Sequence, residues 1–316
     1  MSGVRDMASA KLSGWSLGER ILYGVLTAAA RFMGAVPPVC SQRLGAWIGR
    51  CLWPFAASRR AIARANLDKV YGERLSPETK RRIAYRSFVG IFENALVLLT
   101  AAQTSTRLAH RICVLRHEER LKHATSGGKG AIIVSGHLSN FMVMVGFLGR
   151  LGYKIAVLVR PLAIRPAEQV ITDLREESGV RTFDQGRSAL ALFRHLSSGG
   201  ITWFLLDQNA RTGVLVRALG RPATTFAGPV RLARRLDLPI IPAFARRIGP
   251  AKYEFDICEP IRLPSGEPSE ERIAADLTRL MEILDARILA QPEEWLWCHR
   301  RWRTAERITA ARGARP

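Results

Sequence analysis

Two residues in the middle of the chain have the types and the setting for proton-transfer chemistry. His137 follows the short apolar run AIIVS at Ala131–Ser135, and Asp207 follows a second such run at residues 201–206. A continuous apolar run of this length is what a strand buried on both faces requires. In open α/β sheets, sites gather at the carboxyl ends of the strands. If these two strands are parallel and adjacent, both side chains enter one crevice. A carboxylate there fixes the imidazole tautomer and stabilises the imidazolium, which makes the histidine a general base. The alternative for the same residues is a structural histidine and a helix-capping aspartate.

The elements that must position this pair are visible on both sides of it. Ser76-Pro77-Glu78 reads as a helix start, with serine as N-cap, then proline and an acid in the first turn, and the helix continues to about residue 100. After Gly127-Gly128 the pattern alternates. Strands are expected at 131–135, 155–159, 181–183, 201–206, 214–219, 239–245 and 253–257. Helices are expected at 140–148, 166–177, 188–196, 229–236 and 269–289. Such alternation argues for an α/β fold with a largely parallel central sheet flanked by helices.

The N-terminal region has a different character. Residues 21–36 are apolar except for Arg31, and Pro37-Pro38 closes the run. It is shorter than the ~20 residues that span a bilayer, and no small-residue cleavage site marks it as a secretory signal. A second apolar stretch, 44–57, carries Trp47, Trp53 and Arg50, with Arg43 directly before it. Aromatics mixed with arginines suit helices lying in the headgroup layer. The alternative is a pair of core helices with snorkelling arginines. The expected organisation is membrane-associating helices over 1–57, an α/β domain over 58–303 and a basic, flexible tail over 304–316, which is arginine-rich without an apolar period.

Composition bounds the partners. The chain has 316 residues, 47% hydrophobic and 24% charged, which excludes collagen-like, low-complexity and fully disordered classes. Its cysteines, Cys40, Cys51, Cys113, Cys258 and Cys298, are scattered with no C-x-x-C, so a reducing compartment is expected rather than a disulfide framework. Forty-eight basic against 27 acidic residues give a net charge of +21. Such a surface favours nucleic acid, anionic headgroups or an acidic carrier protein, although arginine excess also arises from codon usage in GC-rich genomes. No RRM, KH or helix-turn-helix pattern accompanies the charge, so no nucleic-acid partner is expected.

Other catalytic motifs fail. Gly127-Gly128-Lys129-Gly130 lacks the spacing and the Ser/Thr of a P-loop, and no Rossmann glycine fingerprint follows a strand. Ser135 is not in a G-x-S-x-G elbow. His117 and His123 are six apart, and no set of acids and histidines has metal-ligand spacing. Neither a metal nor a cofactor is expected.

The segment SGHLSNF at 135–141 resembles the block that carries the H-x4-[D/E] motif of the bacterial lipid A late acyltransferases, a family related to lysophospholipid acyltransferases. Further blocks follow in register. Arg160-Pro161-Leu162 is similar to the family's RPL. Asp207-Gln208 with Gly213, Gly220-Arg221-Pro222-Ala223-Thr224 and Gly228-Pro229 is similar to its central block. Pro239-Ile240-Ile241-Pro242 resembles the strand after it, and residues 292–302, PEEWLWCHRRW, resemble its PEQWLWLHRRW ending. Arg64-Ala65-Asn66-Leu67 and the apolar N-terminus fit as well. The resemblance therefore covers nearly the whole chain, with one departure: Met142 stands where the motif has its acid.

The resemblance implies an O-acyltransferase at the cytoplasmic face of a bacterial inner membrane. It would move a fatty acyl chain from an acyl carrier protein thioester, or acyl-CoA, to a hydroxyl of a membrane lipid, a lipid A precursor first among the options. The anionic membrane surface is its other expected partner. His137 is then the base. Arg160 is a candidate donor to the tetrahedral oxyanion or a phosphate, as are N–H groups at the helix start after His137. Asn140, Gln208, Arg211 and Arg221 are candidate substrate contacts, with Arg211, Arg217 and Arg221 forming either an anion-binding edge or a solvated face. Met142 leaves two outcomes open. Either Asp207 orients His137 and activity survives, or the histidine is poorly held and the chain is an impaired relative serving in lipid binding or as a scaffold.

Overall fold

The computed structural model describes residues 13–186, 188–266 and 268–313. Among the described residues four α-helices come first: α1 (Leu17–Ala35), α2 (Pro38–Leu52), α3 (Ala57–Tyr71) and α4 (Pro77–Ala101). Helix α4 starts where its sequence predicts. The Ser76 hydroxyl accepts from the Thr79 N–H at 3.1 Å, and Pro77 occupies the first turn, where a missing N–H costs nothing. The short helices α5 (Thr106–Ile112) and α6 (Glu118–Ala124) flank β1 (Cys113–Arg116).

The α/β region follows as β2 (Ala131–Ser135), α7 (Phe141–Arg150), β3 (Ile155–Val159), α8 (Arg165–Glu177), β4 (Arg181–Asp184), α9 (Ala189–Ser197) and β5 (Ile201–Leu205). After it come a hairpin of β6 (Val214–Ala218) and β7 (Arg221–Thr225), α10 (Gly228–Leu236), β8 (Ile240–Gly249), β9 (Lys252–Ile257), α11 (Glu270–Ala290) and α12 (Arg303–Gly313). Seven strands form one sheet in the order β1-β9-β8-β2-β5-β3-β4. All its pairings are parallel except β8 with β9. This is the expected α/β fold with a largely parallel central sheet.

All five residues of β2 are buried, as a central strand covered on both faces requires. Ile132 and Val134 face one side with α3, α9, α10 and α11, while Ala131 and Ile133 face the other with α5, α6 and α7. Among the described residues one helix, α4, is long and apolar enough to cross a membrane. It is instead a core helix, with Val89 and Val97 fully buried. Helix α2 lies unusually close to it: a Cβ on Gly45 would sit 2.5 Å from the Phe92 carbonyl oxygen, and one on Gly49 2.9 Å from the Val89 Cα.

The strand expected at 214–219 is present as β6, paired with β7 in a two-stranded hairpin outside the central sheet that Leu219-Gly220 closes, both at positive φ. Strand β1 and helices α5 and α6 were not expected, because four- and seven-residue elements carry too little periodicity. The tail expected to be loose is helical as far as Gly313. What orders its start is local: Ala305 is buried, the Thr304 N–H donates to Asn209 Oδ1 at 2.9 Å, and Lys69 pairs with Glu306.

Candidate active site

Strands β2 and β5 are adjacent and parallel, with Ser135 opposite Leu205. His137 and Asp207 each lie two residues beyond that last pair, so the sheet delivers them to one point on its carboxyl edge. Asp207 is 3% exposed. Its Oδ1 accepts from His137 Nδ1 at 2.8 Å, and its Oδ2 accepts from the His137 backbone N–H at 2.6 Å and from Trp295 Nε1–H at 2.7 Å. Burial alone would raise this carboxyl's pKa. The adjacent His137 charge, its two hydrogen bonds and the Trp295 donor outweigh burial and hold the group at about 2. Gly136 makes the approach possible, since a Cβ there would be 2.7 Å from Leu284 Cδ1 and 3.1 Å from Asp207 Oδ2.

An ionised Asp207 accepting at Nδ1 fixes the proton on that nitrogen and leaves the Nε2 lone pair facing outward. In the structure that lone pair meets the Gln208 amide, with Nε2 to Nε2 at 3.0 Å. Gln208 is exposed and can give way. The imidazole also packs edge-on against Phe141, ring centroids 5.2 Å apart.

A second layer holds these groups. Asn209 N–H donates to His299 Nε2 at 3.0 Å, and burial holds His299 below the ordinary histidine pKa, which suits an acceptor. Asn66 of α3 donates to the carbonyls of Trp297 and His299 at 2.8 and 2.7 Å. Arg301 is buried and donates to the carbonyls of Gln208 and Thr224 at 3.0 and 2.7 Å and to Thr225 Oγ1 at 2.6 Å. Burial pulls its guanidinium down to about 10, against the support of Asp207 and Asp285. The turn after His137 is clamped as well. Ser139 takes a positive φ of 49°, its N–H donates to the Glu294 carbonyl at 2.9 Å, and its own carbonyl accepts from Asn94 of α4 at 2.9 Å.

A cavity of about 240 Å³ opens beside His137, with Asn94, Leu98, Phe141, Met142 and Trp295 in its wall. Helix α7 begins at this wall, and no side chain caps its N-terminus. Among the described residues no three His, Cys, Asp or Glu side chains come together as a metal site needs.

Of the residues singled out by sequence, His137, Asp207 and Gln208 come into direct contact. Asn140 lines the cavity, but its amide is turned into the wall, donating to the Asn94 carbonyl at 3.0 Å. Arg160 leaves the same carboxyl edge at the end of β3, beyond β5, where it is exposed and outside the cavity wall. Arg211 is exposed on the loop after Gln208, and Arg221 donates to the Lys69 carbonyl at 2.7 Å. Met142 lies in the cavity wall while Asp207 holds the imidazole. Trp295 is buried, and its bond to Asp207 is one that sequence reasoning missed. It gave no role to Asn66, His299 or Arg301. The only signal was their place in matching blocks, since their partners are far away in sequence.

A family model for bacterial lipid A biosynthesis acyltransferases matches residues 19–304. The chain belongs to that family. It is therefore an acyltransferase, as the ordered blocks around His137, Asp207 and Trp295 imply. It is 22% identical over 275 residues to the lipid A biosynthesis lauroyltransferase of Escherichia coli K12, covering 83% of this chain and 85% of that one. It is 26% identical to the palmitoleoyltransferase of the same strain, covering 83% and 84%. Among solved structures, the 1-acyl-sn-glycerophosphate acyltransferase of Thermotoga maritima is similar at 14% identity and a TM-score of 0.37, covering 75% of this chain and 96% of that one.

Proposed function

We propose that this acyltransferase moves a fatty acyl chain from an acyl carrier protein thioester to a hydroxyl of a lipid A precursor, with His137 as general base. The observation that carries the reading is the Asp207–His137 contact, which leaves Nε2 basic and aimed outward without any acid at position 142. The acceptor hydroxyl displaces the Gln208 amide and gives its proton to Nε2 as its oxygen attacks the thioester carbon. The tetrahedral oxyanion forms at the N-terminus of α7, where backbone N–H groups and the helix dipole favour negative charge. Collapse breaks the carbon–sulfur bond, and the imidazolium returns its proton to the leaving thiolate. Asp207 stays ionised throughout and stabilises the imidazolium.

The donor assignment rests on charge. A groove between α3 and α4 is lined by Arg60, Arg64, Lys80, Arg81 and Arg82, with Asp68 and Glu78 as its acids. Its α4 residues end at Tyr85, next in sequence to Arg86 and Ser87 of the reaction cavity, and its charge suits an acidic carrier. Arg160, exposed at the same sheet edge, is assigned to a phosphate of the acceptor or donor rather than to the oxyanion.

Membrane attachment rests on exposed apolar side chains. Leu17, Ile21, Val25 and Phe32 mark one stripe of α1, and Leu44, Trp47, Leu52 and Phe55 are exposed on α2 and the turn that follows. The opposite side of α1 packs on protein: Ala30 is buried against Ala102, Val170 and Leu174, and the Tyr23 hydroxyl donates to Asp173 at 2.6 Å. A helix so held suits an interfacial anchor on the cytoplasmic face of the inner membrane better than a span.

The test is acyl transfer by the detergent-purified protein, offered carrier and CoA thioesters with a lipid A precursor or a lysophospholipid. Transfer to the lipid A precursor that His137→Ala abolishes is expected. Transfer confined to the lysophospholipid, or retained by His137→Ala, would overturn the acceptor or the base.

A further inference from the structure

Met142 faces the reaction cavity, yet the acyl-transfer reading gives it no task. Its side chain also lines a second, much smaller cavity of about 20 Å³. The two linings share two residues, Met142 and Leu98. Behind them lies a slot between α4, α5 and α7, walled by the small residues Ala101, Ala102, Ala109 and Gly146 together with Ile112, Val143 and Phe147. Its far end is closed by Arg150, whose guanidinium donates to the carbonyls of Ala101 and Ala102 and to Ser178 Oγ. From Met142 to Arg150 the axis of α7 runs about 12 Å. A thioether on three rotatable bonds can fill the gap or swing aside.

We propose that Met142, with Leu98, partitions the reaction cavity from this slot and sets the longest acyl chain the enzyme accepts. With its carbonyl beside His137, a chain lies in the cavity between α4 and the start of α7 until it meets the Met142 side chain, and longer chains must displace it to enter the slot. The departure from the family motif is then a specificity determinant. This inference rests on the acyl-transfer reading and deepens it.

Met142→Ala removes three heavy atoms and makes room for about three methylenes, each worth about fourfold in discrimination. The experiment compares kcat/KM over a graded series of straight-chain carrier thioesters for the parent, Met142→Ala and Met142→Ala/Gly146→Leu. Beside it, free fatty acids of the same lengths compete with a fluorescent fatty acid for the same proteins. A Cβ at Gly146 meets the Ser178 side chain at 3.6 Å, an ordinary contact with no backbone atom in the way, and a leucine there narrows the slot. The expected result is a shift of the preferred length upward in Met142→Ala, by about fourfold per added methylene, that Gly146→Leu reverses. An unchanged order of donors in an active Met142→Ala protein, or a shift that Gly146→Leu leaves intact, overturns the proposal. If the parent is inert with every donor, the acyl-transfer reading falls and the fatty-acid competition decides the partition alone: the same reversible shift supports it, and an unshifted series overturns it.

Discussion

At the residue scale, the proposed base is one imidazole whose two nitrogens have different partners. Asp207 takes Nδ1 and, through its second oxygen, also holds the His137 backbone and the Trp295 ring. Asp207→Asn removes the charge that fixes the tautomer, and kcat is expected to fall by about 10³–10⁴-fold. The same pair makes stability depend on acid. The Asp207 carboxyl lies at about 2 in the fold, below its ordinary 3.8. Its ionised form therefore stabilises the fold fully above its ordinary value, and the contribution, on the order of 2 kcal/mol, is lost as pH falls from 4 toward 2. Thermal melts of the parent should drop across that window, while Asp207→Asn should melt lower at neutral pH and change less over it. Types and setting made His137 and Asp207 legible in the sequence, because both end continuous apolar runs. Gln208 was legible only as a motif neighbour. The task of Trp295 was not, because its bond depends on a chain return of nearly ninety residues.

At the element scale, the site is a strand-end site braced by α4 and by the segment at 292–302. The long strands and helices were readable from periodicity: β2 and β3 have the expected bounds, and α4 has the expected cap. Elements held mainly by partners elsewhere were not. Strand β7 contains Pro222 and exists by pairing with β6 alone, and α12 is anchored by one buried alanine and a few polar ties. Helix α4 packs α2 on one side and lines the cavity beside His137 on the other, so α2 must lie close without pushing it. Gly45 secures that approach. Gly45→Leu should force the helices apart, costing about 1–3 kcal/mol and lowering the melting midpoint by several degrees. A loss of transfer activity should accompany it as Asn94 and Leu98 move with α4. An unchanged midpoint would show that the close contact is dispensable.

At the scale of the whole molecule, charge and apolar exposure are distributed unevenly. The basic groove lies between α3 and α4, while the apolar side chains gather on α1, α2 and the Phe55 turn, where Phe55 is 84% exposed. Replacing Phe32, Trp47 and Phe55 together by serine should reduce binding to anionic vesicles at least tenfold while leaving the fold intact by circular dichroism. Raising the salt concentration should lower kcat/KM for the carrier thioester more than for acyl-CoA. Equal salt sensitivity of the two donors would count against the groove as the carrier's path. The N-terminal apolar runs were visible in the sequence, but not which face packs on protein, because Tyr23 and Phe32 are equally apolar in pattern.

The central claim is that His137 and Asp207 suffice as the working pair with a methionine at the motif position. Its most direct measurement is kcat/KM for transfer from the acyl carrier thioester to the lipid A precursor, for the parent, Asp207→Ala and Met142→Glu. An active parent, a loss of about 10³-fold or more in Asp207→Ala, and no gain in Met142→Glu is the predicted result. An inert parent that Met142→Glu brings to life would contradict it.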